Sequence, residues 1–305
     1  MSNFEELRLN WDDTINQTYG RLKAQFSCKL KVLGLYSKDR STAFPWEFVQ
    51  GLYNLKELDI SNFFLEEICP CGIVDNEGQY AEMFERLTTL RLSKMPKLMH
   101  LWKENSQEGR GFQNLESLQV SYCGRLKNLV PSSMCFRNLH ILSVSKCHGL
   151  ISLATSSTVK SLVQLKELRL SRCKRMREIV TNEGEGEAGD EICFNQLKVL
   201  SLNDLPTLGS FFHLGNRTTK FPSLEYLYVA SCPELKIFSN GVLSMQKLKH
   251  VGLDGNYWSP YQEGDLLPED VNTFIKRCWE KNNDPCLRQL FTQKVCSHVF
   301  ILCNS

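Results

Sequence analysis

The sequence predicts an α/β solenoid, a curved horseshoe of short parallel strands, and three observations lead there. A Leu-x-x-Leu-x-Leu comb recurs ten times in one frame. Successive combs are 26, 25, 32, 28, 24, 26, 32, 27 and 24 residues apart, the range of repeat architectures. Four of the units carry a cysteine at the same ninth place. A unit this small cannot bury its own apolar face, so it becomes stable only by stacking on its neighbours.

In chain order the units read "FEELRL" from Phe4, "LKVLGL" from Leu30, "LKELDI" from Leu55, "LTTLRL" from Leu87 and "LESLQV" from Leu115. They continue with "LHILSV" from Leu139, "LKELRL" from Leu165, "LKVLSL" from Leu197, "LEYLYV" from Leu224 and "LKHVGL" from Leu248. The period and the comb are those of leucine-rich repeats. Alternation at the fourth and sixth places gives a strand with one buried face. The fold class is therefore an α/β leucine-rich-repeat solenoid. Its parallel sheet lies on the concave face, with irregular loops and short helical turns on the convex face. Ten strands about 4.8 Å apart make a slab on the order of 50 Å long. Residues 1–256 form the array, 257–280 a C-terminal capping segment, and 281–305, which has no repeat frame, an irregular tail. A phenylalanine three places before the comb, at Phe84, Phe112, Phe136, Phe194 and Phe221, reads as a spine packed under each strand entrance.

The ninth place holds Cys123, Cys147, Cys173 and Cys232, and elsewhere Phe63, Met95, Leu205 and Asn256. Where the chain leaves the strand, this side chain turns inward, and a thiol serves as a small hydrophobe with a weak donor for a backbone carbonyl. Stacked cysteines point alike rather than at each other, so they form a structural ladder and not disulfides. A longer period overlies the first: Leu55 to Leu165 and Leu87 to Leu197 are 110 residues apart, and Leu115 to Leu224 is 109. The pattern reads as a duplicated block of four units preceded by the two opening units.

At 305 residues the chain exceeds the usual limit for a single core, which a solenoid escapes by growing in one dimension. A net charge of +2 with 42% hydrophobic residues describes a soluble globular protein and not a generally nucleic-acid-seeking one. The acidic start "MSNFEELRLNWDD" has no secretory signal, and "VFILC" is too short to span a membrane. With thirteen cysteines, an odd count, the expected compartment is reducing, the cytoplasm or nucleus. No phosphate loop, His-Glu-x-x-His or Gly-x-Ser-x-Gly occurs, so neither an enzyme nor a cofactor is expected. Cys69–Cys71, "CPC", lacks zinc spacing, Cys147-His148 is a ladder residue followed by a turn histidine, and the acidic run from Asn182 reads as a solvated loop.

Binding is expected on the outward third, fifth, seventh and eighth places. There the middle units place a basic stripe, Arg91, Lys94, Lys146, Arg169 and Arg172, flanked by Tyr122, Tyr226 and Tyr228 and partly neutralised by Glu167 and Asp204. Tyrosine and arginine dominate protein interfaces, and cations speed encounter with an acidic partner. The expected partner is a protein.

The variant comb "L-x-x-L-x-V-S-x-C-x-x-L-x-x-L", with "FPSLEYLYVASCPELK", "MPKLMHLW" and "SRCKRMREIV", resembles the leucine-rich repeats of plant coiled-coil, nucleotide-binding disease resistance proteins. The stretch "YWSPYQEGDLLPEDVNTFIKRCW" is similar to the tail of that family at Trp258, Asp270, Asn272, Thr273 and Ile275. The resemblance implies a recognition and regulatory module of innate immunity. Such a module senses a pathogen effector or guarded host protein and packs on a nucleotide-binding module, which these residues do not contain. A substrate adaptor or scaffold outside defence, and a non-signalling truncated product, remain alternatives.

Overall fold

The computed structural model describes residues 5–11, 20, 28–40, 44–68, 86–101, 113–127, 129, 136–181, 192–212, 219–235, 243–245, 247–253 and 256–258. In chain order its elements are β1 (Glu6–Trp11), β2 (Val32–Ser37), α1 (Trp46–Gln50), β3 (Glu57–Ser61), β4 (Thr89–Ser93), β5 (Ser117–Ser121) and β6 (Ile141–Ser145). Next come β7 (Ala154–Thr155), α2 (Ser156–Val159), β8 (Glu167–Ser171), β9 (Glu178–Thr181), β10 (Ile192–Cys193), β11 (Val199–Asn203) and β12 (Ser210–Phe212). The last are β13 (Thr219–Lys220), β14 (Tyr226–Ala230), β15 (Leu243–Ser244), β16 (His250–Leu253) and β17 (Asn256–Trp258).

Ten of these strands, one per unit, form a parallel file in the order β1-β2-β3-β4-β5-β6-β8-β11-β14-β16, and β17 adds an antiparallel edge. The register never slips: Leu58, Leu90, Leu118, Leu142, Leu168, Leu200 and Leu227 pair in succession at the fourth place. All of them are buried in one continuous core. A slip by one residue would turn every such leucine to the open face, which is why the pattern pins the pairing.

Three backbone devices repeat around this file. The second and third N–H groups of each unit donate to the second-place carbonyl of the unit before, as Glu116 and Ser117 do to Thr88 O at 2.8 and 2.9 Å. The N–H at the twelfth place closes a turn onto the ninth-place carbonyl, as from Leu126 to Cys123 at 3.2 Å. At the entrance, the first leucine donates to the spine residue, as Leu139 does to Phe136 at 3.2 Å. Phe136, Phe194 and Phe221 are buried there, and Phe194 stacks on Phe221 with centroids 5.2 Å apart. Phe84 and Phe112 lie outside the described residues. A side-chain rung just before the comb was not foreseen. Asn54 Nδ2 donates to Cys28 O at 2.6 Å, Asn138 Nδ2 to Gln113 O at 2.8 Å, and Arg86 Nη1 to Tyr53 O at 3.2 Å.

The side away from the file is more ordered than loops and helical turns alone. Beyond the turns, β7, β9 and β12 pair as one small parallel sheet and β10, β13 and β15 as another. The helices α1 and α2 begin 110 residues apart, at Trp46 and Ser156, and thus keep the offset of the duplicated block. Each buries its third and fourth residues, Phe48 and Val49 in one, Thr158 and Val159 in the other. Asn256, the ninth place of the last unit by count, is instead the first residue of the antiparallel β17.

The cysteine ladder has the expected geometry. Cys123, Cys147 and Cys173 each donate to the seventh-place carbonyl of their own unit at 3.4 Å, and Cys232 does so at 3.3 Å. All four are buried thiols. Burial pushes the Cys173 thiol up to about 12. The hydrogen-bonded neighbour Cys123, and after it burial, push Cys147 up as well. Cys123, hydrogen-bonded to Cys147, is instead held below the usual thiol value, and its protection is burial alone. A covered thiol in such a ladder does not react. Brief iodoacetamide treatment of the native protein is therefore expected to label exposed Cys28 more than about tenfold faster than the four ladder cysteines, which label only in denaturant. Equal labelling by peptide mass spectrometry would contradict the ladder.

Candidate protein-binding surface

The open face of the file is set by alternation: in β3 through β6 and in β11 the third, fifth and seventh places are half-exposed while the fourth and sixth are buried. Parallel register lines up the fifth places as Asp59, Arg91, Gln119, Ser143, Arg169, Ser201 and Tyr228. Two of the expected cations lie in this row, and both have a carboxylate. Arg91 Nη1 donates to Glu57 Oε2 at 3.0 Å, and Arg169 donates to Glu167 Oε2 through Nη2 at 2.9 Å and Nε at 3.2 Å. They stand three strands apart, about 15 Å. Their charge is spent within the face.

The eighth place differs because its backbone differs. Asn62, Lys94, Tyr122, Lys146, Arg172, Asp204 and Ser231 all have φ between 53° and 62°. That left-handed conformation ends each strand, swings the ninth side chain inward and throws the eighth outward. It is held by a bond to the next unit: Lys94 N donates to Ser121 O at 3.0 Å, Tyr122 N to Ser145 O at 3.0 Å, and Lys146 N to Ser171 O at 2.9 Å. Four expected site residues, Lys94, Tyr122, Lys146 and Arg172, are thus consecutive in one row. The Lys146 ammonium donates to Tyr122 Oη and sits 4.1 Å from that ring's centroid. Tyr122 is still 48% exposed. The hydrogen bond from Lys146, then the fields of Lys146, Arg172 and Lys94, hold its phenol below the usual tyrosine value. Among the described residues only Arg172 of this row has an acidic neighbour, Asp204 at 4.0 Å, and both are more than half exposed, where such pairs are weak.

Other expected members are placed elsewhere. Trp11 and Ser37, eighth by count in the first two units, are buried, because β1 and β2 run one residue longer and carry them into the core side. Tyr226 and Tyr228 lie on β14, two strands beyond β8, and do not flank the row; the Tyr226 ring stacks on His250 at 4.9 Å to make a separate patch. His148 sits in the turn with Nδ1 buried and without a partner among the described residues, while the Cys147 thiol faces backbone carbonyls, so the two form no nucleophilic pair. Among the described residues no group of three or more His, Cys, Asp or Glu is placed to hold a metal ion. Cys69–Cys71, the acidic run from Asn182 and the tail beyond Trp258 lie outside the described residues. The left-handed row had a faint sequence signal, since the eighth place holds no β-branched residue in any unit.

The model of the family described as plant disease resistance protein RPS2-like, leucine-rich repeats, matches residues 3–135 and again 132–254. A putative disease resistance protein of Arabidopsis thaliana is 28% identical over 227 residues, 68% of this chain and 24% of that protein. The probable disease resistance protein RF45 is 24% identical over 220 residues, 72% and 19% respectively. Disease resistance protein RPS5 is 26% identical over 215 residues, 68% and 23%. The chain therefore spans a quarter or less of the length of these curated relatives. Among solved structures, the leucine-rich-repeat domain of the type III effector XopL is similar over 76% of this chain and 81% of that one, at 20% identity and a TM-score of 0.42.

A left-handed residue other than glycine stores strain, and a β-branched one stores more. Lys94, at φ 54°, has a backbone bond to keep and no hydrogen bond or ion pair from its side chain among the described residues. Lys94→Gly is expected to leave stability unchanged or raise it by up to about 1 kcal/mol, and Lys94→Val to lower it by about 1–2 kcal/mol. Urea midpoints at constant slope read the difference; the reverse order would mean that this φ does not control the turn.

Proposed function

The chain belongs to the family of leucine-rich repeats of RPS2-like plant disease resistance proteins, and on that premise we propose that it is a protein-recognition and regulatory module of plant innate immunity. It acts by binding an acidic stretch of a pathogen effector, of a guarded host protein, or of a nucleotide-binding module supplied by a longer form or another chain. The observation that carries this reading is the left-handed row. Exposed Tyr122 stands between Lys94 and Lys146 with Arg172 next along the row, and among the described residues only Arg172 of the three cations has a carboxylate partner, Asp204 at 4.0 Å. An aromatic body flanked by cations suits a partner that brings carboxylates and an apolar contact. Arg91 and Arg169 border this contact and contribute less, because both already have carboxylate partners, while Tyr226 and Tyr228 stand in a separate patch two strands beyond it.

The test is affinity capture from pathogen-challenged leaf tissue, quantified by mass spectrometry. Lys94→Glu with Lys146→Glu is expected to lower recovery of specific partners by about tenfold or more, with the loss steepest at low salt. Arg91→Glu with Arg169→Glu is expected to lower it far less. Indistinguishable recovery by both double variants and the parent would remove the row from the binding surface.

A further inference from the structure

The turns that follow the strands carry a second charged surface, on residues the strand face does not use. Across the tenth to thirteenth places of the four units from Leu87 to Leu165 lie Lys97, Arg125, Lys127, Lys174, Arg175 and Arg177, and no carboxylate. Five of the six are exposed; Lys97 is half-buried, its ammonium 5.4 Å from the centroid of the Phe64 ring. None makes an ion pair among the described residues. These six give the edge a net charge of +6, against +2 for the whole chain.

The edge is rigid. Each of the four turns closes its twelfth N–H on the ninth carbonyl at 3.2 to 3.3 Å, and thirteenth places join across units, Lys127 N to Met99 O at 2.9 Å and Arg177 N to Ile151 O at 2.8 Å. Gly149 seats one turn on the next: a Cβ there would lie 2.6 Å from Leu126 O. The cations therefore stand on a ribbon of strand-like spacing, four units on the order of 15 Å wide. Ile151, in the thirteenth place between the units of Lys127 and Arg177, stands 45% exposed among them.

Three ligands could be weighed for such a ribbon. A protein interface centres on a buried apolar or aromatic cluster, and these turn places offer no Phe, Tyr or Trp and only Ile151 as an exposed large hydrophobic. A nucleic acid would satisfy the cations with phosphates but give Ile151 nothing to bury. The surface of an anionic bilayer supplies both, charged headgroups for the cations and an apolar boundary for the isoleucine. We propose that this turn edge docks peripherally on an anionic lipid surface, with Ile151 entering the headgroup layer and the strand face left accessible. Peripheral contact needs no span, and no described helix is long and apolar enough to cross a membrane.

The experiment is co-sedimentation of the full chain with vesicles of phosphatidylcholine, alone or with about 30% phosphatidylserine, at two salt concentrations, with polyuridylic acid as competitor. The parent is expected to bind only the serine-containing vesicles, less at high salt. Arg175→Glu with Arg177→Glu is expected to weaken binding more than about tenfold, and Ile151→Ser a few fold with unchanged salt dependence. Arg91→Glu with Arg169→Glu, on the strand face, should stay within about twofold of the parent. Matching thermal unfolding curves keep misfolding out of the comparison. Parent protein that ignores the serine-containing vesicles, a charge-reversed variant that still binds them, or an Ile151→Ser variant with parental binding that polyuridylic acid fully displaces, overturns the proposal. Because the decisive variants differ from those of the partner-capture test, with Arg91→Glu and Arg169→Glu the control in both, either reading can fail alone.

Discussion

The structure depends on one backbone conformation repeated unit after unit: a residue at positive φ where each strand ends, its N–H bonded to the last strand carbonyl of the following unit. That single turn fixes three things together. It limits the strands from β3 onward to five residues, it places the ninth side chain in the core, and it faces the eighth side chain outward next to its counterparts. β1 and β2 illustrate the coupling by lacking it. Their strands run to six residues, no positive φ occurs at Trp11 or Ser37, and both side chains are buried. Recognition chemistry at the eighth place is thus a by-product of how the strand is stopped.

Holding bulky side chains in a left-handed conformation costs about 1–2 kcal/mol each, and the cost recurs along the row. The offset lies in the stacking. Each unit adds a full set of buried aliphatic side chains to one uninterrupted core, and burying a leucine contributes roughly 1.5–3 kcal/mol. The thiols add a weak bond: Cys147 and Cys232 also approach a carbonyl of the unit before, each at 3.8 Å. Surface ion pairs add little by comparison, since all those described have substantially exposed partners.

The repeat frame, the strand count, the inward ninth place and the thiol donor were all legible in the sequence, because each is a consequence of a periodic apolar pattern. What was not legible depends on backbone angles or on pairs of side chains. Nothing in "SYC" says that Tyr122 is left-handed, yet that decides that it stands beside Lys146. Spacing placed Arg91 and Arg169 in a basic stripe, with Glu167 among the residues that partly neutralise it. The Glu57 partner of Arg91, at 3.0 Å, and the pairing of Glu167 with Arg169, at 2.9 Å, come from the geometry. Tyr226 and Tyr228 share outward places with the stripe, but a shared place within the unit does not set distance across units, and β14 lies two strands beyond β8. The small sheets beyond the turns were hidden for another reason: segments of two to four residues, such as Ile179–Val180, are too short to show any period.

The duplicated block separates frame from surface. Across the offset, Leu58 answers to Leu168, Leu90 to Leu200, Val120 to Val229 and Cys123 to Cys232, and every one of these is buried. The helices α1 and α2 keep the same offset. The charges do not. Lys94 faces Asp204 in the comparison, Arg125 faces Glu234, and Arg177 faces Glu67. A basic sector inherited with the frame would appear in both blocks. Instead it runs across their junction, from the unit of Leu87 to that of Leu165, and stops at Asp204 on one side and at Glu66 and Glu67 on the other. The apolar comb accounts for where these side chains are held but not for their sign. The anionic counterparts we propose for the eighth-place row and for the turn edge would give that sign a use the frame itself does not.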